Sequence, residues 1–189
     1  MKAKLLILIT CLLTAQQDHI NFRVPGEVYA MKQPKDLDCW ITETTMMLYW
    51  KVGQELEIDT VASKLGEPWH SLYLTNGGLH FDQQDQYINL IGLRSEPPAN
   101  YILEAYLDMM KSYGPLWITT GNGFSSHARL LIGIEGDGSY EQTEFIFIDP
   151  IKGKEVHQNA LKFMHEFEKE AFVANEDVFE IYRLQFHHF

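Results

Sequence analysis

The chain changes character at Pro115, and this change limits its fold more than any other feature of the sequence. Before Pro115, helical spacing of apolar residues predicts helices over 39–50, 59–65, 79–90 and 101–113. After it, apolar and β-branched runs predict strands over 116–119, 128–135, 143–148 and 178–186, with one more helix over 161–170. Helices and strands are therefore segregated along the chain, and we predict an α+β fold with an N-terminal helical lobe, a C-terminal antiparallel sheet lobe and a cleft between them.

A single domain over residues 16–189 is expected from the length of the chain. No repeat, low-complexity tract or block of charge divides its 189 residues, which are enough for one domain with a substantial core. The formal net charge is -11, from 15 Lys and Arg against 26 Asp and Glu. Binding to phosphate groups needs clustered Lys and Arg, so we expect no nucleic-acid partner.

The first fifteen residues have the pattern of a secretory signal peptide. Lys2 and Lys4 precede an apolar run over 5–15 that is too short to span a bilayer as a helix. The alternative is a first buried strand or helix. Cleavage would remove Cys11, leave Cys39 as the one cysteine and exclude an internal disulfide. We therefore expect an exported protein, periplasmic or extracellular, or a cytoplasmic one if the leader is retained, with no membrane span in the mature chain.

Cys39 has the surroundings that a cysteine nucleophile needs. Asp38 is a good N-cap residue, which predicts that Cys39 lies in the first turn of a helix, where backbone N–H groups favour the thiolate. Gln33, six residues earlier, offers an amide that could bind an oxyanion. The alternative is that a lone cysteine is a small buried apolar residue.

His127 and Asp149 are the candidates for the base and for the group that orients it. His127 opens one predicted strand and Asp149 ends the next, and a turn near Gly136 joins the two strands. An antiparallel pair joined in this way brings its outer ends together, so we expect the two side chains to be neighbours. Alternatively, Asp149 and Pro150 form only a turn that ends the strand.

Taken in order, four motifs resemble those of papain-like cysteine peptidases. Within that superfamily the chain is similar to the bacterial branch that contains bacteriocin-processing (double-glycine) peptidases and papain-like secreted effector proteases. The motifs are Gln33…Asp38-Cys39-Trp40, Tyr113-Gly114-Pro115-Leu116-Trp117, His127-Ala128-Arg129-Leu130-Leu131-Ile132-Gly133-Ile134 and Phe147-Ile148-Asp149-Pro150.

The resemblance implies a role for each of four residues. Cys39 would be the nucleophile, His127 the general acid and base, Asp149 the orienting carboxylate, and Gln33 an oxyanion-hole donor together with the backbone N–H of Cys39. One departure is Glu43, which stands where the family often has a small residue. Because it lies one helical turn after Cys39, it would raise the pKa of the thiol if it pointed toward it.

A peptidase acting on peptide or protein substrates through an acyl-enzyme is the function that these residues favour. A secreted effector or toxin is one such role, with a cognate inhibitor or immunity protein as a further partner. The sequence leaves two alternatives open: acyl transfer or amide hydrolysis by the same triad, as in transglutaminase-like or peptidoglycan-directed enzymes, and a non-catalytic papain-like binding module. We expect no cofactor and no metal, since the remaining histidines follow no metal-ligand spacing.

Overall fold

The computed structural model describes residues 19–97, 99, 101–121, 126–167 and 186–189. The predicted leader over 1–15 lies outside this range. So does the strand predicted over 178–186, except for its last residue, and the end of the helix predicted over 161–170.

Four of the first five helices of the described residues agree with the sequence prediction. The structure has α1 (Cys39–Val52), α2 (Ile58–Leu65), α3 (Trp69–Leu74), α4 (Phe81–Leu90), α5 (Leu103–Tyr113) and helical residues 160–167. The prediction missed α3, because six residues between Pro68 and the Asn76-Gly77 turn are too few to show a helical period. Gly53 ends α1 in a left-handed conformation, which glycine adopts without steric cost.

In the part of the chain that the structure describes, seven strands form one antiparallel sheet. They are β1 (Ile20–Arg23), β2 (Arg94–Ser95), β3 (Leu116–Gly121), β4 (Ser126–Gly136), β5 (Glu144–Asp149), β6 (Lys154–Asn159) and β7 (Phe186–His188). Their order is β2-β7-β3-β4-β5-β6, and β1 pairs with the second half of β4. The sequence predicted β3, β4 and β5 but not β1, β2 or β6, which are short or mostly polar edge segments.

Alternating side chains of β5 show how both faces of the sheet are covered. Ile146 and Ile148 belong to one apolar cluster and Phe145 and Phe147 to another, as expected for successive residues of a strand. The first cluster contains side chains of α1, α2, α3 and α4, and the second contains those of α5 and of residues 160–167. The first half of the chain thus covers one face of the sheet, except for α5, which crosses to the other.

This arrangement fixes α1 against the centre of the sheet. Trp40, Ile41, Met46 and Met47 of α1 are buried among Ala128, Leu130 and Ile132 of β4. The start of α1 therefore lies beside the start of β4. The predicted α+β class is confirmed, although two strands of the antiparallel sheet, β1 and β2, come from the mainly helical first half of the chain. Within the part of the chain that the structure describes, no helix has the length and apolar character required to span a bilayer.

Candidate active site

Cys39 is the first residue of α1, but the residue before it does not act as predicted. Asp38 occupies the N-cap position without any side-chain capping bond. Its carboxyl group is fully buried, and neither oxygen has a hydrogen-bond partner. Burial raises its pKa, against opposing contributions from the charge and backbone of Lys35. The expected capping role of Asp38 is therefore wrong in this structure.

The Cys39 thiol lies between α1 and the start of β4. The pKa of the thiol is raised to about 11, mainly by burial, and the negative charge of Glu43 contributes in the same direction. Hydrogen bonding to the backbone of Ala128, and to the N–H groups at the start of the helix, works in the opposite direction. Burial therefore favours the thiol form of Cys39, whereas the helix N-terminus favours the thiolate.

His127 and Asp149 are in direct contact at the neighbouring ends of β4 and β5. Nε2 of His127 lies 3.0 Å from Oδ1 of Asp149. The backbone N–H of Ile151 donates to the same oxygen at 2.9 Å, and Nζ of Lys152 lies 3.9 Å from Oδ2. Burial works to raise the pKa of Asp149, but the bond and charge of His127, the Ile151 N–H and Lys152 outweigh it, so the pKa is lowered.

The ring of His127 is oriented by this contact. Because Nε2 is held by Asp149, Nδ1 is the nitrogen left for a proton acceptor or donor. His127 is adjacent in sequence to Ala128, whose backbone reaches Cys39. The imidazole and the thiol form no hydrogen bond with each other in the structure.

Gln33 lies in the loop before α1 and is joined to the turn after β5. Its backbone N–H donates to the carbonyl of Pro150 at 2.8 Å. Its side-chain Nε2 donates to the carbonyls of Lys35 at 2.9 Å and Asp36 at 2.8 Å, while Oε1 is buried without a partner. Both amide hydrogens are thus directed to the loop in this structure, and the oxyanion role of Gln33 stays a prediction.

Two residues near the site had no role in the sequence prediction. Arg129, two positions after His127 on the same strand, is buried and stacks over the Phe147 ring at 4.3 Å. Its guanidinium donates to Gln158 at 2.8 Å and to Thr120 at 3.4 Å. Trp117 is buried on β3, and its indole N–H has no partner in hydrogen-bond geometry. The period-two spacing of His127 and Arg129 is the signal that could have placed Arg129 on the face of His127.

One group of potential metal ligands lies away from these residues. Glu135, Glu144 and His157 each place a ligand atom within 4.8 Å of the others. Glu144 Oε2 already bonds His157 Nδ1 at 3.1 Å. The absence of a metal predicted from the sequence stays a prediction.

Comparison with known proteins identifies a family for most of the chain. A family model described as papain-like cysteine protease AvrRpt2 matches residues 18–170. No curated protein matches the chain significantly. The match includes all four residues of the predicted site and most of the helices and strands.

Proposed function

The chain belongs to the papain-like cysteine protease AvrRpt2 family, and from this membership and the site geometry we propose that it hydrolyses peptide bonds with Cys39, His127 and Asp149. The observation that carries the proposal is the bond of 3.0 Å between His127 and Asp149. This bond stands beside the N-terminus of the helix that begins at Cys39. It supplies the oriented base that a cysteine nucleophile needs.

The first step transfers the thiol proton as the sulfur attacks. Because the pKa of Cys39 is about 11, the resting enzyme holds a thiol, and Nδ1 of His127 takes the proton while Sγ bonds to the scissile carbonyl carbon. Asp149 keeps Nε2 in place and stabilises the imidazolium that forms. The ordinary resting ion pair of thiolate and imidazolium is not required.

The tetrahedral intermediate then collapses to an acyl-enzyme. The backbone N–H of Cys39, at the free N-terminus of α1, stabilises the oxyanion, and Gln33 contributes once its amide turns from the loop carbonyls. His127 returns its proton to the leaving amine as the C–N bond breaks. A water molecule, deprotonated by His127, cleaves the thioester and restores the thiol of Cys39.

Replacement of the nucleophile tests this mechanism. Cys39→Ala should abolish cleavage of a denatured protein substrate, with unchanged circular dichroism, whereas the matched variant Cys11→Ser should retain wild-type turnover. Cleavage that survives in Cys39→Ala would end the proposal. Incorporation of a primary amine into the product, in place of hydrolysis, would assign the acyl-transfer alternative, since both outcomes share one acyl-enzyme.

A second candidate, a non-catalytic binding module, is favoured by one observation. The thiol pKa of about 11 and the missing bond between Cys39 and His127 describe a site that is not activated at rest. A thiol probe separates the candidates in a Cys11→Ser background. Labelling of native Cys39 no faster than that of the denatured chain, together with no cleavage, would favour the binding module.

Export as an effector or toxin is part of the same proposal. It rests on Lys2, Lys4 and the apolar run over 5–15, and a cognate inhibitor would be the natural partner of such an enzyme. N-terminal sequencing of the protein recovered from its producing cell tests it. A mature chain that still begins at Met1 would contradict the cleaved leader.

A further inference from the structure

Glu43 is a carboxyl group that lies entirely inside the protein beside the proposed nucleophile. It follows Cys39 by four residues in α1, so the two side chains share one face of the helix, and helical side chains lean toward the N-terminus, here toward Cys39. Glu43 is 0% exposed, and neither of its oxygens has a hydrogen-bond partner. A buried carboxylate without partners is costly, and the neutral acid is the form that such a site accepts.

The charged and polar groups around Glu43 come from four other elements. Burial is the main cause that raises its pKa well above the usual range, and the negative charge of Asp149 on β5 adds to it. The positive charge of Arg129 on β4 and the indole N–H of Trp117 on β3 act in the opposite direction. The hydroxyl of Tyr87 on α4 is close enough for the charge of Glu43 to raise its pKa.

Arg129 and Trp117, the two neighbours that lower the pKa of Glu43, form no hydrogen bond with its carboxyl group. The guanidinium of Arg129 donates to Gln158 and Thr120. The Trp117 indole N–H, though directed at Glu43, does not reach hydrogen-bond geometry. The carboxyl group can therefore change its protonation state without breaking a hydrogen bond.

A negative charge on either Cys39 or Glu43 disfavours ionisation of the other. An ionised Glu43 raises the pKa of Cys39, and by reciprocity a thiolate at Cys39 disfavours ionisation of Glu43. The helix N-terminus and the Ala128 backbone stabilise an anion only at Cys39. The protonation state of Glu43 thus sets how readily the thiol loses its proton.

We propose that Glu43 is a positioning residue that acts through Cys39: as a neutral acid it permits the thiolate, and as an anion it holds Cys39 in the thiol form. The meaning of this coupling for catalysis rests on the proposed peptidase function. The coupling itself belongs to the thiol and is measured without a substrate.

Alkylation of Cys39 by iodoacetamide between pH 5 and pH 10 tests the coupling in a Cys11→Ser background. The rate in Glu43→Gln relative to the parent should be near one at low pH. The ratio should rise to at least about threefold at pH values where Glu43 is ionised in the parent. A threefold ratio corresponds to a thiol pKa that is lower by about half a unit in Glu43→Gln. The parent curve should have two steps and the Glu43→Gln curve one. A ratio that stays flat, or falls below one, across the range would overturn the proposal.

A charge-matched control separates this local effect from a change in net charge. Glu55 lies in the loop after α1 and is exposed, so Glu55→Gln removes one negative charge without touching the site. The rate of Cys39 alkylation in Glu55→Gln, relative to the parent, should stay near one at every pH. A pH-dependent rise equal to that of Glu43→Gln would assign the effect to net charge and contradict the coupling.

A measurement on the unsubstituted glutamate covers the case in which Glu43→Gln does not fold. With carbon-13 glutamate, exposed side chains are ionised at pH 7, so an infrared band of a protonated glutamic acid reports a buried one. We expect one such band, from protonated Glu43. Its intensity should fall over the same pH range as the step that Glu43 ionisation causes in the alkylation curve of the parent. Its absence at pH 7 would overturn the proposal.

Peptide cleavage measured on the same samples distinguishes the two proposals. A pH-dependent alkylation ratio without any cleavage would contradict the peptidase function and leave the coupling in place. Cleavage with a flat ratio would contradict the coupling alone.

Discussion

The backbone N–H of Gln33 donates to the carbonyl of Pro150 at 2.8 Å, which joins the loop before Cys39 to the turn after Asp149. The predicted oxyanion donor and the carboxylate that holds His127 are therefore attached to each other through main chain. A displacement of one segment moves the other. The relative position of nucleophile, base and oxyanion donor thus depends on a loop-to-turn contact as well as on packing of α1 against the sheet.

Asp149→Asn should lower kcat/KM by about 10²–10⁴-fold, as for the equivalent change in a Ser-His-Asp triad. The amide cannot stabilise the imidazolium, and it allows the His127 ring to adopt the wrong tautomer. Peptide hydrolysis at pH 7 measures the effect. Asp137→Asn, at a half-buried aspartate in the turn between β4 and β5, is the matched control and should retain full activity. A loss of less than threefold in Asp149→Asn would contradict the triad.

Gln33→Ala should lower kcat by about 10²–10³-fold with little change in KM, because an oxyanion donor acts in the transition state. The same side chain also anchors its loop through Lys35 and Asp36, so a loop control is needed. Lys35→Met removes the bond of 2.7 Å to the Tyr73 carbonyl that holds the same loop to α3. Steady-state kinetics on both variants should show a fall in kcat only for Gln33→Ala. Equal falls would assign Gln33 a structural role.

The sequence was sufficient for the elements that position the site. The helix at Cys39, the strand that begins beside His127 and the strand that ends at Asp149 follow from strong apolar patterns and clear turn residues. It was not sufficient for contacts that depend on the fold. Burial of Asp38 in place of capping, and the contacts of Arg129 with Thr120, Phe147 and Gln158 on other strands, arise from tertiary packing, which no local pattern encodes. β6 was missed because its residues are mostly polar and at least partly exposed.

Gly114→Ala should destabilise the fold by about 2 kcal/mol or more, because overpacking and a positive φ act together. A Cβ at Gly114 would lie 2.2 Å from the Trp50 ring of α1, and its φ is +88°. Gly53→Ala is the matched control, since Gly53 also has positive φ, +66°, but no atom within 4 Å of the added Cβ. Thermal unfolding should show a Tm lower by about 4–8 °C in Gly114→Ala and a smaller change in the control. Equal changes in Tm for the two variants would show that the Trp50 ring does not disfavour a side chain in place of Gly114.

His187, which is fully buried on β7, should contribute to a loss of stability at acid pH. The amide nitrogen of Gln84 lies 2.8 Å from Nε2, which therefore accepts, and Nδ1 donates to the Ser95 hydroxyl at 2.9 Å. Protonation would place two donors face to face. Burial, and next the charge of His188, lower the pKa of His187 to about 4.

The sign of the effect follows from the unfolded chain, in which histidine has a pKa near 6.5 and binds the proton more tightly than the folded chain does. The contribution of His187 is complete above about pH 6.5 and is lost as pH falls toward about 4. That loss amounts to about 3 kcal/mol at full development. Urea unfolding of the wild type should show a lower unfolding free energy at pH 4 than at pH 7.5. In His187→Gln this fall between the two pH values should be smaller by about 3 kcal/mol. An equal pH dependence in wild type and His187→Gln would show that His187 does not titrate as a buried group.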